Sequence, residues 1–221
     1  DPLEGARVYS CVAMTGSAEQ EHYGRNPLFI YDPHDDSNRP VKGVHNNAIK
    51  LWNGYPAYLR DAFTVTFGEG LKDGNRRVNT NQWYKVVCRM QSDLTVCGCG
   101  CPPVFATMYS SDGTYRCPRC SEEAPMFRIN GLDKALRKGA ELHAYETEIP
   151  LSEDREDALR ITGMVVENTL HPGVMGIKNL STDQWVAGYG NTEKAVPSNG
   201  GTVLNGLTRL EFGNNITAEK E

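Results

Sequence analysis

Two short cysteine-rich stretches lie near the middle of the chain: Cys97-Gly-Cys99-Gly-Cys101-Pro-Pro and, after a loop, Cys117-Pro-Arg-Cys120. The second stretch is a C-x-x-C turn, and two turns of this kind that face each other place four thiolates tetrahedrally around zinc. The intervening residues suit a hairpin of two strands, over 104–109 and 113–116, and the glycines allow backbone amides to approach the sulfurs. The sequence therefore predicts a zinc ribbon over residues 97–125.

The predicted zinc ligands are Cys97, Cys99, Cys117 and Cys120. The first stretch offers three cysteines and only two are needed, so Cys101 could replace Cys97 or Cys99. Four cysteine ligands leave no open coordination position, which makes the predicted zinc structural and not catalytic. The alternative is a redox cluster, but such a motif usually follows a strand in a βαβ unit, and no such unit is evident.

The composition supports a metal site in a reducing compartment. The chain has 221 residues and seven cysteines, and a tight cluster is unlike the spread of bridges in a secreted disulfide framework. The formal net charge of −5 argues against a nucleic-acid partner or a membrane-surface partner. There is no apolar run of ~20 residues and the sequence does not begin like a signal peptide, so we expect a cytoplasmic location.

Residues 1–96 carry helical signals. An amphipathic stretch covers residues 46–52, and a stronger one opens at Pro56, where proline fits the first turn of a helix. Apolar residues recur every four positions on its face: Leu59, Phe63, Phe67 and Leu71. The glycines that follow predict the end of this helix.

A second long helix is predicted after the loop that contains Arg76 and Arg77. Thr80 is a suitable N-cap residue for it. Its periodicity predicts one buried face: Trp83, Val87, Met90 and Leu94.

Residues 126–221 show short runs of β formers separated by turn residues. Runs over 141–149, 159–167 and 184–189 predict strands, and Asn205-Gly206 is a strong signal for a hairpin. Several strands at this spacing predict an antiparallel β-sandwich. The expected fold class is therefore α+β, with a helical segment over 1–96, the zinc ribbon over 97–125 and the sandwich over 126–221.

No catalytic constellation is evident in the sequence. The motifs G-x-x-x-x-G-K-[ST], H-E-x-x-H and G-x-S-x-G are all missing, and the five histidines are scattered. The residues alone thus indicate a binding or regulatory chain.

Several stretches in residues 1–120 carry a resemblance to a known family. They are Pro2–Gly5, Asn26–Pro33, Ser37–Pro40, the region of Trp52, Pro56–Phe63, Phe67–Leu71, Asn75–Val78 and Trp83, with the cysteine ribbon next in order. This part of the chain resembles the C-terminal lobe of bacterial eukaryotic-type serine/threonine protein kinases. It looks closest to a group encoded beside tellurite-resistance-type stress proteins.

The resemblance implies that the helices from Pro56 and Thr80 are the last two of the kinase lobe. It also implies that Arg77 is the lobe's buried arginine, whose usual glutamate partner is not in this chain; the alternative is an exposed loop arginine. The sequence departs from the family because it lacks the Gly-rich loop, the strand lysine, H-R-D and D-F-G. We therefore expect no kinase activity from the chain alone.

The last ~95 residues, about the size of a β-sandwich domain, look like a forkhead-associated domain. The likeness lies in Ile177–Trp185 and Thr208–Gly213. True members bind phosphothreonine with an arginine and hydroxyl donors. Their motifs are not in register here, and Ser181 and Arg209 are the available substitutes for phosphopeptide binding.

Taken together, the sequence predicts a non-catalytic regulatory or protein-interaction module of a bacterial serine/threonine kinase stress-signalling system. The expected partners are proteins, namely a kinase catalytic region or signalling partners. One alternative is the C-terminal part of an active ATP-dependent serine/threonine kinase. Another is a phosphothreonine-peptide binding module.

Overall fold

The computed structural model describes residues 16–150, 157–213 and 215–221. The chain forms two compact units, Asp1–Val86 and Val87–Glu221. Helices and antiparallel strands both contribute, so the expected α+β class is confirmed. The division into 1–96, 97–125 and 126–221 stays a prediction, and Pro2–Gly5 lies outside the described residues.

In the part of the chain that the structure describes, all helices except two are short. In chain order they are α1 Gly16–Glu19, α2 Asn46–Asn53, α3 Ala57–Phe67, α4 Glu69–Lys72, α5 Thr80–Asp93 and α6 Ala144–Thr147. π-helical turns follow α1 over Gln20–Arg25, and 3-10 turns occupy Gly74–Arg76 and Ala106–Tyr109. Within the described residues, no helix combines the length and the apolar character needed to cross a membrane.

Aromatic side chains hold the first unit together. The rings of Tyr31 and Trp52 stack with centroids 4.1 Å apart, and Phe63 meets Trp83 edge to face at 5.3 Å. The predicted apolar face of α3 is only partly buried, because Phe67 is 40% exposed while Leu59 is buried.

Helix α5 differs from its prediction at its start. The backbone N–H of Gln82 donates to Oδ1 of Asn79, and the N–H of Asn79 donates to Oε1 of Gln82. This reciprocal pair is a capping box. The N-cap is therefore Asn79, and Thr80 is the first residue of the helix.

The predicted buried face of α5 is confirmed only in part, because Trp83 and Met90 are half-buried and the other two predicted residues are exposed. Val87 is 50% exposed and Leu94, which lies beyond the helix, is 44% exposed. The buried residues of α5 are Cys88, Ser92 and Asp93. Polar residues can occupy this face because partners distant in sequence satisfy their hydrogen bonds.

Within the described residues, the second unit contains fourteen strands. They are β1 Leu94–Thr95, β2 Val104–Phe105, β3 Ser110–Ser111, β4 Thr114–Arg116, β5 Glu123–Ile129, β6 Leu132–Ala135, β7 Glu141–His143, β8 Ile161–Glu167, β9 Met175–Asn179, β10 Trp185–Tyr189, β11 Thr192–Val196, β12 Gly201–Val203, β13 Arg209–Glu211 and β14 Thr217–Lys220.

These strands form three antiparallel sheets. The largest has the order β11-β10-β13-β14-β5-β4-β3, with β6 also paired to β5. A four-stranded sheet has the order β12-β9-β8-β7, and β1 pairs with β2 alone. Because β5 pairs with β4 at its start and with β14 at its end, the cysteine hairpin continues into the largest sheet.

One hydrophobic core is shared by the two larger sheets. Fully buried Trp185 of β10 lies against β8, where a Cβ added to Gly163 would be 2.7 Å from its Cη2 atom. The core consists of the following buried side chains: Phe127, Ile129, Leu136, Leu142, Val165, Ile177, Trp185, Ala187, Val196, Leu204, Leu207, Leu210, Phe212, Ile216 and Ala218.

Three predicted strand features differ from the structure. Asn205-Gly206 forms a turn in which the N–H of Leu207 donates to the carbonyl of Leu204, but it joins β12 to β13, which belong to different sheets. The predicted strand over 141–149 is strand only to His143, because His143 and Glu146 then form a capping box that starts α6. The predicted strand over 104–109 turns into a 3-10 helix at Ala106.

Candidate metal centre

Two turns, each following a strand, carry the cysteines. The first follows β1, where the N–H of Gly100 donates to the carbonyl of Cys97 and Gly100 has a φ of +76°. The second follows β4, where the N–H of Ser121 donates to the carbonyl of Cys117 and Ser121 has a φ of +61°. The left-handed residue ends each turn and folds the two cysteines toward one point, and glycine adopts this conformation without strain.

The sulfur atoms of Cys97, Cys99, Cys117 and Cys120 all lie within 4.8 Å of one another. The Sγ atoms of Cys97 and Cys120 are 3.5 Å apart, and those of Cys99 and Cys117 are 3.7 Å apart. A tetrahedron with metal–sulfur bonds of about 2.3 Å has edges of about 3.8 Å. A disulfide needs about 2.05 Å. The four predicted ligands are therefore spaced as a metal site requires and could hold one metal ion.

The fifth cysteine of the cluster has a different position. Cys101 is buried and contacts the same group of side chains, yet the four sulfurs that surround a common point do not include it. Of the predicted alternatives for the first turn, the geometry thus favours Cys97 with Cys99.

The four thiols have unequal environments. Cys97 and Cys117 are 4% and 2% exposed, whereas Cys99 is half-buried and Cys120 is exposed. One side of the site therefore faces the protein and the other faces water.

Backbone amides make Cys117 the most acidic thiol of the group. The N–H groups of Cys120 and Arg119 donate to its sulfur and lower the pKa of Cys117 to about 6. Burial and the neighbouring thiols raise the pKa of Cys99. Cys117 is therefore the thiol of this group that ionises most readily, and a metal ion held by all four sulfurs would require the other three to lose their protons.

Charged side chains surround the cysteine turns. Nη2 of Arg137 lies 3.8 Å from Sγ of Cys97 and 3.3 Å from the carboxylate of Glu122. The same guanidinium donates to the carbonyl of Val96. On the other side, Nη1 of Arg119 donates to the carbonyl of Gly100 at 2.9 Å and so joins the two turns. Sequence reasoning missed Arg137, because a position 40 residues from Cys97 carries no local signal.

A cleft of about 640 Å³ opens beside Cys97 and Gly98. Three basic side chains line it, and a carboxylate pairs with each one: Lys134 with Glu146, Arg137 with Glu122, and Lys138 with Glu167. Because these charges are neutralised in place, the cleft offers little net attraction to an anion.

Behind this cleft lies a buried carboxylate. Oε1 of Glu146 accepts hydrogen bonds from Ser92 and Lys134, and Oε2 accepts one from the backbone of His143. Burial alone would raise its pKa, but the charge of Lys134 and these hydrogen bonds lower the pKa of Glu146 overall. The carboxylate therefore stays ionised and bonded inside the protein, as a structural group requires.

Arg77, predicted as a buried kinase-like arginine, lies after a 3-10 turn in the first unit and is exposed. Its Nε donates to the carbonyl of Gly70 at 2.7 Å. A Cβ on Gly70 would lie 2.8 Å from Cγ of Arg77, so the arginine stem covers this glycine. Its partner is thus a backbone carbonyl of helix α4.

The predicted phosphopeptide residues do not present free donors. Ser181 is 1% exposed, and its hydroxyl donates to Oδ1 of Asn179. Arg209 contacts the carboxylates of Glu193 and Glu211 at 2.8 and 2.9 Å. A phosphate would have to displace these partners, so neither placement supports the predicted role.

Comparison of the chain with protein-family models, with curated proteins and with solved structures found no match in any of the three.

Proposed function

We propose that the chain holds one structural zinc ion in a zinc ribbon formed by Cys97, Cys99, Cys117 and Cys120. The observation that supports this most is the spacing of the four sulfurs around one point. Soft thiolate sets select zinc, copper(I) or iron–sulfur centres, and a tetrahedral four-cysteine set on two turns is typical of structural zinc. With four protein ligands, the ion has no position left for a substrate.

The proposed zinc would act as a cross-link. It would join the turn after β1 to the turn after β4, which are otherwise connected by short strands and a 3-10 turn. The energy of metal binding becomes energy of folding when the site exists only in the folded chain.

Metal analysis of the purified protein and two serine variants tests this proposal. We expect about one zinc per chain in the wild type and in Cys101→Ser, and a loss of zinc in Cys117→Ser. The two variants make the same chemical change at neighbouring buried cysteines, so their difference reports ligation. Iron in place of zinc, or a wild type that is folded and free of metal, would contradict the proposal. Loss of zinc in Cys101→Ser would place Cys101 in the ligand set.

We further propose that the second unit is a zinc ribbon joined to a β-sandwich and works as a non-catalytic protein-interaction module. A single core built from two antiparallel sheets supports the sandwich assignment. The resemblances to a kinase lobe and to a forkhead-associated domain suggest the partner class: a bacterial serine/threonine kinase catalytic region, or a signalling partner, in the cytoplasm.

Three assays with the purified chain test this role. Incubation with Mg-ATP and a protein substrate should give no phosphate transfer, and transfer would support the active-kinase alternative. Calorimetric titration with the catalytic domain of a bacterial eukaryotic-type kinase should show saturable binding, and its absence would remove this partner class. Phosphothreonine peptides should bind no better than their unphosphorylated controls, since Ser181 is buried.

A further inference from the structure

Tyr115 has a buried hydroxyl beside the metal centre. It lies in β4, two residues before Cys117, and is 1% exposed. Its hydroxyl has no hydrogen-bond partner among the residues that the structure describes. Burying such a donor without an acceptor costs free energy, so an unpaired hydroxyl of this kind in a native core calls for a physical reason.

The surroundings of Tyr115 supply a physical reason for its unpaired hydroxyl. The ring belongs to a cluster of buried side chains that includes Cys97, Cys101 and Cys117. A phenol hydroxyl can donate a hydrogen bond, so Tyr115 places a buried donor in the same cluster as these sulfurs.

Metal binding changes how strongly these sulfurs accept hydrogen bonds. A thiol is a weak acceptor, but a cysteine must be deprotonated to bind a metal ion. Hydrogen bonds to an ionised acceptor are the stronger ones. A metal ion would therefore hold Cys117 as a thiolate, which is the stronger acceptor for the neighbouring hydroxyl of Tyr115.

Arg137 provides a matching contact at the other buried cysteine. Its side chain is 11% exposed, and its Nη2 lies 3.8 Å from Sγ of Cys97. The carboxylate of Glu122 also faces that sulfur at 3.4 Å, and Arg137 contacts both groups. Four thiolates on a divalent ion carry a net charge of 2−. The positive guanidinium of Arg137 offsets part of this charge and also reduces the repulsion between the thiolate of Cys97 and the carboxylate of Glu122.

We propose that Tyr115 and Arg137 are positioning residues that hold the metal-bound thiolates of Cys117 and Cys97, and that they slow the release of the metal ion. This inference rests on the proposed metal site. Tyr115 and Arg137 both lie on the buried side of the site, while Cys99 and Cys120 lie on the side that water reaches. Release to a chelator would then proceed from the Cys99 and Cys120 side.

The experiment compares Tyr115→Phe with Tyr109→Phe, which makes the same change at a tyrosine that is 42% exposed. Zinc release to a chelator should be about tenfold faster or more in Tyr115→Phe and unchanged in Tyr109→Phe. In cobalt(II)-loaded protein, loss of the hydrogen bond should shift the sulfur-to-cobalt charge-transfer band to lower energy in Tyr115→Phe alone. Arg137→Gln should also release zinc faster.

Stability measured with and without metal separates this role from simple packing. Tyr115→Phe should lower stability more in the zinc-loaded protein than in the metal-free protein, because the metal fixes the neighbouring cysteines as thiolates. The zinc-loaded variant should be less stable than the zinc-loaded wild type. Equal release rates and unchanged cobalt bands in Tyr115→Phe would overturn the inference while leaving the metal site intact. A wild type that binds no metal would instead refute the proposed function.

Discussion

The Nζ atom of Lys134 lies 2.8 Å from Oε1 of Glu146, and the two side chains are 7% and 0% exposed. Ser92 of α5 donates to the same oxygen at 2.7 Å. This one carboxylate therefore connects β6, α6 and the end of α5. A buried pair is costly to form, but it is costlier to break, because removing one partner leaves the other charge buried and unpaired.

Glu146→Gln should accordingly destabilise the protein by about 3–5 kcal/mol. The amide keeps the shape of the side chain but removes the negative charge that balances Lys134. The measurement is the free energy of unfolding in urea at neutral pH. Glu123→Gln is the matched control, because Glu123 pairs with Arg116 at 2.7 Å on the surface. That control should change stability by less than about 1 kcal/mol, and equal effects of the two variants would contradict the prediction.

The same carboxylate predicts an acid-dependent loss of stability. The charge of Lys134, with hydrogen bonds, outweighs burial and lowers the pKa of Glu146 from 4.5 to about 2 in the folded chain. Because the folded pKa lies below the unfolded one, the contribution is complete above pH 4.5 and disappears as pH falls toward 2. This drop corresponds to roughly 3 kcal/mol. The difference in unfolding free energy between wild type and Glu146→Gln should shrink over this interval, and a difference that stays constant would refute the assignment.

The cysteine site could be predicted from sequence because its signal is local. Each turn places its cysteines within four residues, and the ligand spacing carries the chemistry. The network of Glu146 could not be predicted in this way, since Ser92 and Glu146 are 54 residues apart. The same reason explains why Val87 was wrongly placed on the buried face of α5: apolar periodicity favoured it, whereas the residue that is buried, Asp93, is satisfied by Thr107.

Turn signals were informative about the backbone but not about topology. Asn205-Gly206 does form a turn, yet the strands on either side pair with different sheets. The buried Leu204 and Leu207 flank this turn and pack into the shared core. The pairing of a strand depends on neighbours that are distant in sequence, and dipeptide chemistry does not report them.

Helix α5 has two adjacent candidates for its N-cap residue, Asn79 and Thr80. Asn79→Ala should destabilise the first unit by about 1 kcal/mol, because it removes the acceptor for the N–H of Gln82. Asn81→Ala is the control, since Asn81 is an exposed residue inside the helix. Thermal unfolding followed by far-UV circular dichroism measures the stability of both variants. A larger effect of Thr80→Ala than of Asn79→Ala would restore Thr80 as the cap.

Removal of the proposed metal ion should loosen one part of the second unit selectively. The cysteines pack in a small cluster with Ala106, Tyr115 and Met126, separate from the core of the two large sheets. After chelation, amide hydrogen exchange should accelerate in the segment 97–121, while protection persists in β8 and β10. The Cys117→Ser variant should show the same local loss without a chelator. Collapse of protection across β8 and β10 would mean that the metal supports the entire unit, and unchanged exchange in 97–121 would remove its structural role.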